Sequence, residues 1–145
     1  MVIEKVTRPS EELVQALQRL IPQLAAYKAP PSLGDLQTLL DSDGSTLLVA
    51  REPDENGEVI GLLCLTVYRV PTGIRSIIED VVVDERIRRK GVGEALVRRA
   101  IDLAREAGAS GVALTSNPQR EAANRLYQSM GFELRKTNAY IYKLK

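Results

Sequence analysis

One stretch of this chain constrains its fold more than any other. An acidic pair, Glu79-Asp80, runs into Val81-Val82-Val83, and Asp84-Glu85-Arg86-Ile87-Arg88-Arg89-Lys90 follows. Gly91-Val92-Gly93-Glu94-Ala95-Leu96 then opens an amphipathic pattern. The valines call for a buried strand, because β-branched side chains suit a pleated surface covered by other elements. The glycines interrupt it, since they adopt dihedrals that a Cβ forbids and let a ligand approach the backbone. A helix over roughly Val92 to Ala107 begins there, with its unpaired amides and positive dipole end facing the turn. A strand, a cationic glycine turn and a helix in this order suit a phosphate or pyrophosphate, with Arg86, Arg88, Arg89 and Lys90 as cationic donors.

Two common phosphate-binding patterns are absent from the chain. There is no Gly-x-x-x-x-Gly-Lys-Ser/Thr and no Gly-x-Gly-x-x-Gly. The net charge is only +1, so the basic run is a local device, and nucleic acid is not expected as a partner. At 145 residues, 44 % hydrophobic and 27 % charged, the chain suits one domain over residues 1–145 with a real core. Its start, Met1-Val2-Ile3-Glu4-Lys5, lacks the layout of a signal peptide, and no apolar run is long enough to span a bilayer. A cytoplasmic location and no membrane partner are the expectations. Histidine is absent and Cys64 is the sole cysteine. That removes the commonest general base, the usual nucleophile pairs and most zinc sites, so no metal is expected. Acid–base work is left to Glu, Asp, Tyr, Lys or water.

The remaining pattern is an alternation of strands and helices. Val2 to Thr7 reads as a strand. Ser10 caps a helix whose Leu13, Leu17, Leu20, Ile21 and Leu24 recur at helical spacing to about Ala26, with Pro22 ending or bending it early. A second helix runs from Leu33 to Asp41. Thr46 to Arg51, Val59 to Val70 and Ile74 to Asp84 are β-rich, the middle one apolar on both faces with Cys64 as a core residue. Val112 to Thr115 is a short strand, Arg120 to Met130 a helix, and Phe132 to Lys136 and Ala139 to Leu144 two closing strands. Period two puts Glu79 and Asp80 on opposite faces of their strand.

A second motif lies at Asn117-Pro118-Gln119-Arg120-Glu121-Ala122-Ala123-Asn124-Arg125-Leu126-Tyr127-Gln128-Ser129-Met130-Gly131-Phe132. Asn124 and Tyr127 share one helix face. It resembles the pattern Asn-x-x-Ala-x-x-Leu-Tyr-x-x-x-Gly-Phe of the GNAT superfamily of N-acetyltransferases. Arg88-x-x-Gly91-x-Gly93 likewise resembles that superfamily's acyl-CoA signature, Gln/Arg-x-x-Gly-x-Gly/Ala. The two patterns stand at the right separation, and the resemblance covers essentially the full chain, as in small bacterial-type single-domain members.

The resemblance implies an α+β fold with a mixed central sheet of six to seven strands, flanked by about four helices and splayed at the fourth and fifth strands. It implies an acetyl-CoA-dependent N-acetyltransferase, with direct attack by a primary amine in a ternary complex. Binding of acetyl-CoA falls to Val81, Val82, Val83, Arg88, Arg89, Lys90, Gly91, Val92, Gly93, Glu94, Asn117, Asn124 and Tyr127. Asn124 would bond the pantetheine or phosphate region, and Tyr127 would protonate the departing thiolate. Glu79 is the first candidate base and Asp80 the second. Some family members carry a glutamate two residues earlier, where this chain has Ile77. The oxyanion donor is expected at the amide of Val81 or Val82, beside a bulge. Tyr68, Arg69, Arg75, Asn138 and Tyr140 are candidates for lining an acceptor pocket. The acceptor is a small-molecule amine or a peptide amine. A protein N-terminal or lysine acetyltransferase stands as the alternative enzyme, and a non-catalytic acyl-CoA-binding regulatory module as the alternative of another class. A homodimer through the C-terminal strands is expected.

Overall fold

Ser10 starts the first helix by accepting a hydrogen bond from the Leu13 amide at 3.1 Å in the computed structural model, which describes residues 1–87 and 91–144. Helix α1 (Glu11–Leu24) buries Leu13, Leu17, Leu20 and Ile21 along one stripe. Pro22 lies inside it, and the helix neither ends nor breaks there. The proline sits in the last turn, where few amides follow it, and Ala25 N still reaches Ile21 O at 3.0 Å. Helix α2 (Leu33–Leu40) opens on a reciprocal cap, with Ser32 and Asp35 each accepting from the other's amide.

The strands are β1 (Val2–Lys5), β2 (Ser45–Glu52), β3 (Glu58–Val70), β4 (Gly73–Val83) and β5 (Val112–Leu114), with α3 (Val92–Glu106) between the last two and α4 (Glu121–Ser129) after them. Among the described residues they form one sheet in the order β1-β2-β3-β4-β5. The first three junctions are antiparallel, and β5 runs parallel to β4. Leu47, Val49, Leu62 and Val82 pack with α1 and α2. Leu48, Ala50, Leu63 and Leu65 alternate with them and are also buried. They serve the other face, where α3 contributes Val92, Leu96, Val97, Ala100 and Ala104. Gly61 fits this layer closely: a Cβ there would lie 3.2 Å from Val92 and 3.3 Å from Leu96.

The mixed sheet and the four helices agree with the expectation, but the strand number does not. Among the described residues five strands form, not six to seven, and residues 132–144 contain none. The β-formers Tyr140, Ile141 and Tyr142 are 83 to 90 % exposed. A strand exists by pairing, and propensity without a partner does not make one. By its internal contacts the chain divides into Met1–Thr115, which holds the sheet, and Ser116–Lys145, which holds α4.

Candidate functional site

The middle of β4 departs from regular pairing. Leu63 faces Val81 and Leu65 faces Ile78, so Glu79 and Asp80 together oppose the single residue Cys64. This two-for-one register breaks the alternation that would have sent Glu79 and Asp80 to opposite faces. Both charges act on the Cys64 thiol, Asp80 more than Glu79, and together with burial they push it up to about 11. Desolvation is the largest cause. Cys64 is only half-buried and lies beside two carboxylates, so it is not the core residue that its apolar strand suggested.

Glu79 and Asp80 are exposed, and neither makes an ion pair among the described residues. Arg75, the obvious partner on the same strand, donates instead to Thr72 Oγ1 at 3.0 Å. Arg75 faces Tyr68 across the β3–β4 register, and both are exposed, as is Arg69.

Where the bulge begins, β4 loses its second neighbour. Its pairing with β5 covers Ser76, Ile77 and Ile78 and stops there. The resemblance implied a splay of the fourth and fifth strands, and their pairing is this short. Asp84 N donates to Ile60 O at 2.8 Å. Backbone alternation then turns Val82 toward β3 and Val81 toward the splayed edge. Val82 is buried, whereas Val81 and Val83 are half-buried.

After β4 the chain makes one turn of 3-10 helix over Glu85–Ile87. Asp84 is buried there, with its side chain 1 % exposed. It accepts from the Arg86 amide at 3.1 Å, from Arg86 Nη2 at 2.7 Å and from Arg19 Nε of α1 at 3.4 Å. The Arg86 guanidinium hydrogen bonds lead the causes that hold the Asp84 carboxyl down at about 2. Arg86 Nη2 also pairs with Glu58 at 3.0 Å. Arg86 is therefore engaged by carboxylates, a pairing that its place in a basic run did not suggest. Arg88, Arg89 and Lys90 lie outside the described residues.

Gly91 ends the turn at φ +75°, and a Cβ placed on it would meet nothing within 4 Å. No side chain caps α3 at this residue. The amides of Val92, Gly93 and Glu94 have no acceptor within their own helix. Glu94 is tied along the helix to Arg98 at 2.9 Å. An open glycine before an uncapped helix start is a fitting cradle for an anionic group, and its donor set is backbone amides.

The second unit holds the other motif. Asn117 Oδ1 accepts from the Gln119 amide at 2.9 Å. Asn124 Nδ2 donates to Asn117 O and Arg120 O, both at 2.9 Å. Asn117 and Asn124 are thus brought together around the start of α4. Both of these hydrogen bonds draw on the Asn124 amide nitrogen, which leaves its oxygen as the group open to a ligand. Tyr127 is half-buried, and its ring meets Phe132 edge-on with centroids 5.8 Å apart. Burial raises its phenol above the ordinary value, opposed by the charge of Arg120. Asn138 and Tyr140 are exposed.

Sequence reading missed the role of Asp84, Arg19 and Gln23. Gln23 Oε1 accepts from the Glu85 amide at 2.9 Å, which adds a second tie from α1 to the turn. The available signal was an acidic pair, Asp84-Glu85, directly after three valines. Arg86 stands two positions from Asp84, but Arg19 stands 65 away and leaves no local pattern.

Residues 12–132 match the family model described as Acetyltransferase (GNAT) family. The Oryza sativa subsp. japonica protein titled "Probable glucosamine 6-phosphate N-acetyltransferase 2" is 33 % identical over 125 residues, covering 83 % of this chain and 72 % of the rice protein. N-acetyltransferase family 8 member 3 of Rattus norvegicus is 33 % identical over 108 residues, covering 73 % of this chain and 45 % of the rat protein, so the chain spans under half of that relative. Among solved structures, an aminoglycoside acetyltransferase from an uncultured soil metagenomic sample shares the fold with a TM-score of 0.83 at 22 % identity, covering 99 % of this chain and 96 % of that one. No helix among the described residues is long and apolar enough to cross a membrane. With the bulged and splayed β4, the uncapped glycine turn and the match over residues 12–132, the chain belongs to the GNAT acetyltransferase family.

Proposed function

We propose that the protein is an N-acetyltransferase that moves an acetyl group from acetyl-CoA to a primary amine by direct attack in a ternary complex. One observation carries this reading. The two-for-one register opposite Cys64 gathers two carboxylates, without ion pairs among the described residues, where β4 parts from β5. An amine acceptor must lose a proton before it attacks, and a solvated carboxylate beside an open strand edge can take it directly or through water.

The donor supplies the activated thioester when bound. The open Gly91 and the uncapped amides of Val92, Gly93 and Glu94 hold its pyrophosphate in this reading, with Arg88, Arg89 and Lys90 adding charge. Of Val81, Val82 and Val83, Val81 is the better oxyanion donor, because its amide points away from β3. Glu79 is the base and Asp80 its substitute. Asn124 accepts from the donor's amides through its oxygen, and Asn117 contributes by holding Asn124 in place. Tyr127 keeps its proton at neutral pH as an ordinary phenol does, burial raises it further, and it gives that proton to the leaving thiolate. A thiol pushed up to about 11 is a poor nucleophile at neutral pH, which favours direct attack over a cysteine intermediate.

Both units act as one domain over residues 1–145 in this reading. The acceptor is a small-molecule amine. The rice relative's title supports an amino sugar phosphate as the first compound to try. Exposed Leu134, Tyr140, Ile141, Tyr142 and Leu144 support a homodimer through the C-terminal segment. Light scattering that gives the mass of one 16.0 kDa chain at micromolar concentration would remove it.

The test is a thiol-release assay with acetyl-CoA over a panel of amines that includes glucosamine 6-phosphate and short peptides, beside calorimetric titration with CoA. Release that depends on an amine supports the proposal. CoA binding with no release over the panel favours a binding module.

A further inference from the structure

The chain enters the glycine turn through a clamp built from three elements, and the proposed reaction does not account for it. Asp84 is buried and charged, with Arg86 on its own turn and Arg19 from α1 as its counter-ions. Arg19 Nη2 also donates to Val59 O at 2.6 Å, and Glu58 pairs with both arginines. Gln23 holds the Glu85 amide, and Ile87 N closes the turn on Asp84 O at 2.9 Å. The far side of the turn is fixed to the same stretch of β3. Asp84 N binds Ile60 O, while Val92 and Leu96 pack on Gly61. Residues 58–61 thus serve as one ruler for both ends.

The geometry points to Asp84 and Arg19 as positioning residues for the donor: their clamp presets the separation between the end of β4 and the uncapped start of α3. This inference rests on the proposed donor site. A carboxylate placed this close to a phosphate turn would repel the ligand if left uncompensated. Two arginines neutralise it and make it a rigid anchor. The alternative role for Arg86 is direct contact with the donor's phosphate, and it predicts the opposite sign. Removing the Asp84 charge would then free Arg86 and tighten binding.

The experiment uses the full chain, calorimetric titration with CoA, and steady-state kinetics on an amine that the wild type accepts. Asp84→Asn is expected to raise the CoA dissociation constant and the KM for acetyl-CoA about tenfold, the scale of one lost charge-assisted contact, with kcat within about twofold. Arg19→Met should act in the same direction. It leaves the turn's own residues intact and removes a side chain that is 34 % exposed, so it keeps the test available if Asp84→Asn does not fold. Leu36→Ala, in the core under α2, should lower stability without moving CoA affinity. Unchanged or tighter CoA binding in a folded Asp84→Asn or Arg19→Met variant overturns the clamp. Absence of CoA binding by the wild type would instead sink the donor site itself, and it is read before any variant is made.

Discussion

Asp84 makes the acid sensitivity of this fold predictable in sign and size. Its folded value is held from 3.8 down to about 2, chiefly by hydrogen bonds from the Arg86 guanidinium. Stability from a depressed carboxylate is fully present above the unfolded value of 3.8 and is lost as pH falls through about 2. At about 1.4 kcal/mol per pH unit, that displacement amounts to about 2 kcal/mol. The figure is a ceiling, because the Arg86 side chain is 57 % exposed and water screens it. Asp84→Asn removes the titrating group. At neutral pH it should cost about 2 to 3 kcal/mol, toward the low end for a broken buried pair because both arginines reach solvent. Urea unfolding of wild type and variant, measured at intervals from pH 7 to pH 2, checks this. The gap between the curves should be constant above about pH 5, where Asp84 is ionised in both states, and should narrow by up to about 2 kcal/mol below about pH 4. Glu12 and Asp35 are also depressed, by Arg51 and by Ser32, but they titrate in both proteins and cancel from the difference. A gap that stays constant down to pH 2 would refute the assignment of this acid-labile stability to Asp84.

Three further outcomes are expected. Gly91→Asp sets a charged Cβ-bearing residue at φ +75° before an uncapped helix, so CoA affinity should fall at least tenfold, through left-handed strain and like charge, and an unchanged calorimetric titration would rule out this placement of the pyrophosphate. Tyr127→Phe should lower kcat by about a hundredfold with little change in the KM for acetyl-CoA. It should leave the melting temperature near wild type, because the edge-on packing on Phe132 is retained, and wild-type turnover would show that the thiolate leaves without the phenol. The Cys64 thiol should react slowly with a maleimide at pH 8 and faster in Asp80→Asn, because the Asp80 charge adds to burial in raising it; equal rates would mean that the Asp80 charge does not act on it.

Local chemistry was legible wherever neighbours in sequence decide the outcome. The Ser10 cap, the helical stripe of α1, the αL glycine at Gly91 and the start of α3 beside it are set by residues within one turn of each other. So are the side-by-side placement of Asn124 and Tyr127 and the family resemblance carried by both motifs. What failed depended on partners far away. A strict period of two sent Glu79 and Asp80 apart, and only pairing with β3 at Cys64 reveals that two residues oppose one. The β-forming side chains of Tyr140, Ile141 and Tyr142 suggested a strand, yet a strand needs a second backbone to bond with. Pro22 looked like a stop until the last turn of α1 accommodated it. Arg86 looked like a ligand for phosphate because it stands in a basic run. The fold brings Glu58 against it and Arg19 beside Asp84, and a charge-assisted hydrogen bond to a buried carboxylate outweighs solvation of a free guanidinium. The sequence by itself determined the elements from β1 to α4, their order and the chemical types at the site. The tertiary structure decided which charges are paired and which are left open, because pairing is a property of distances between residues that the chain keeps far apart.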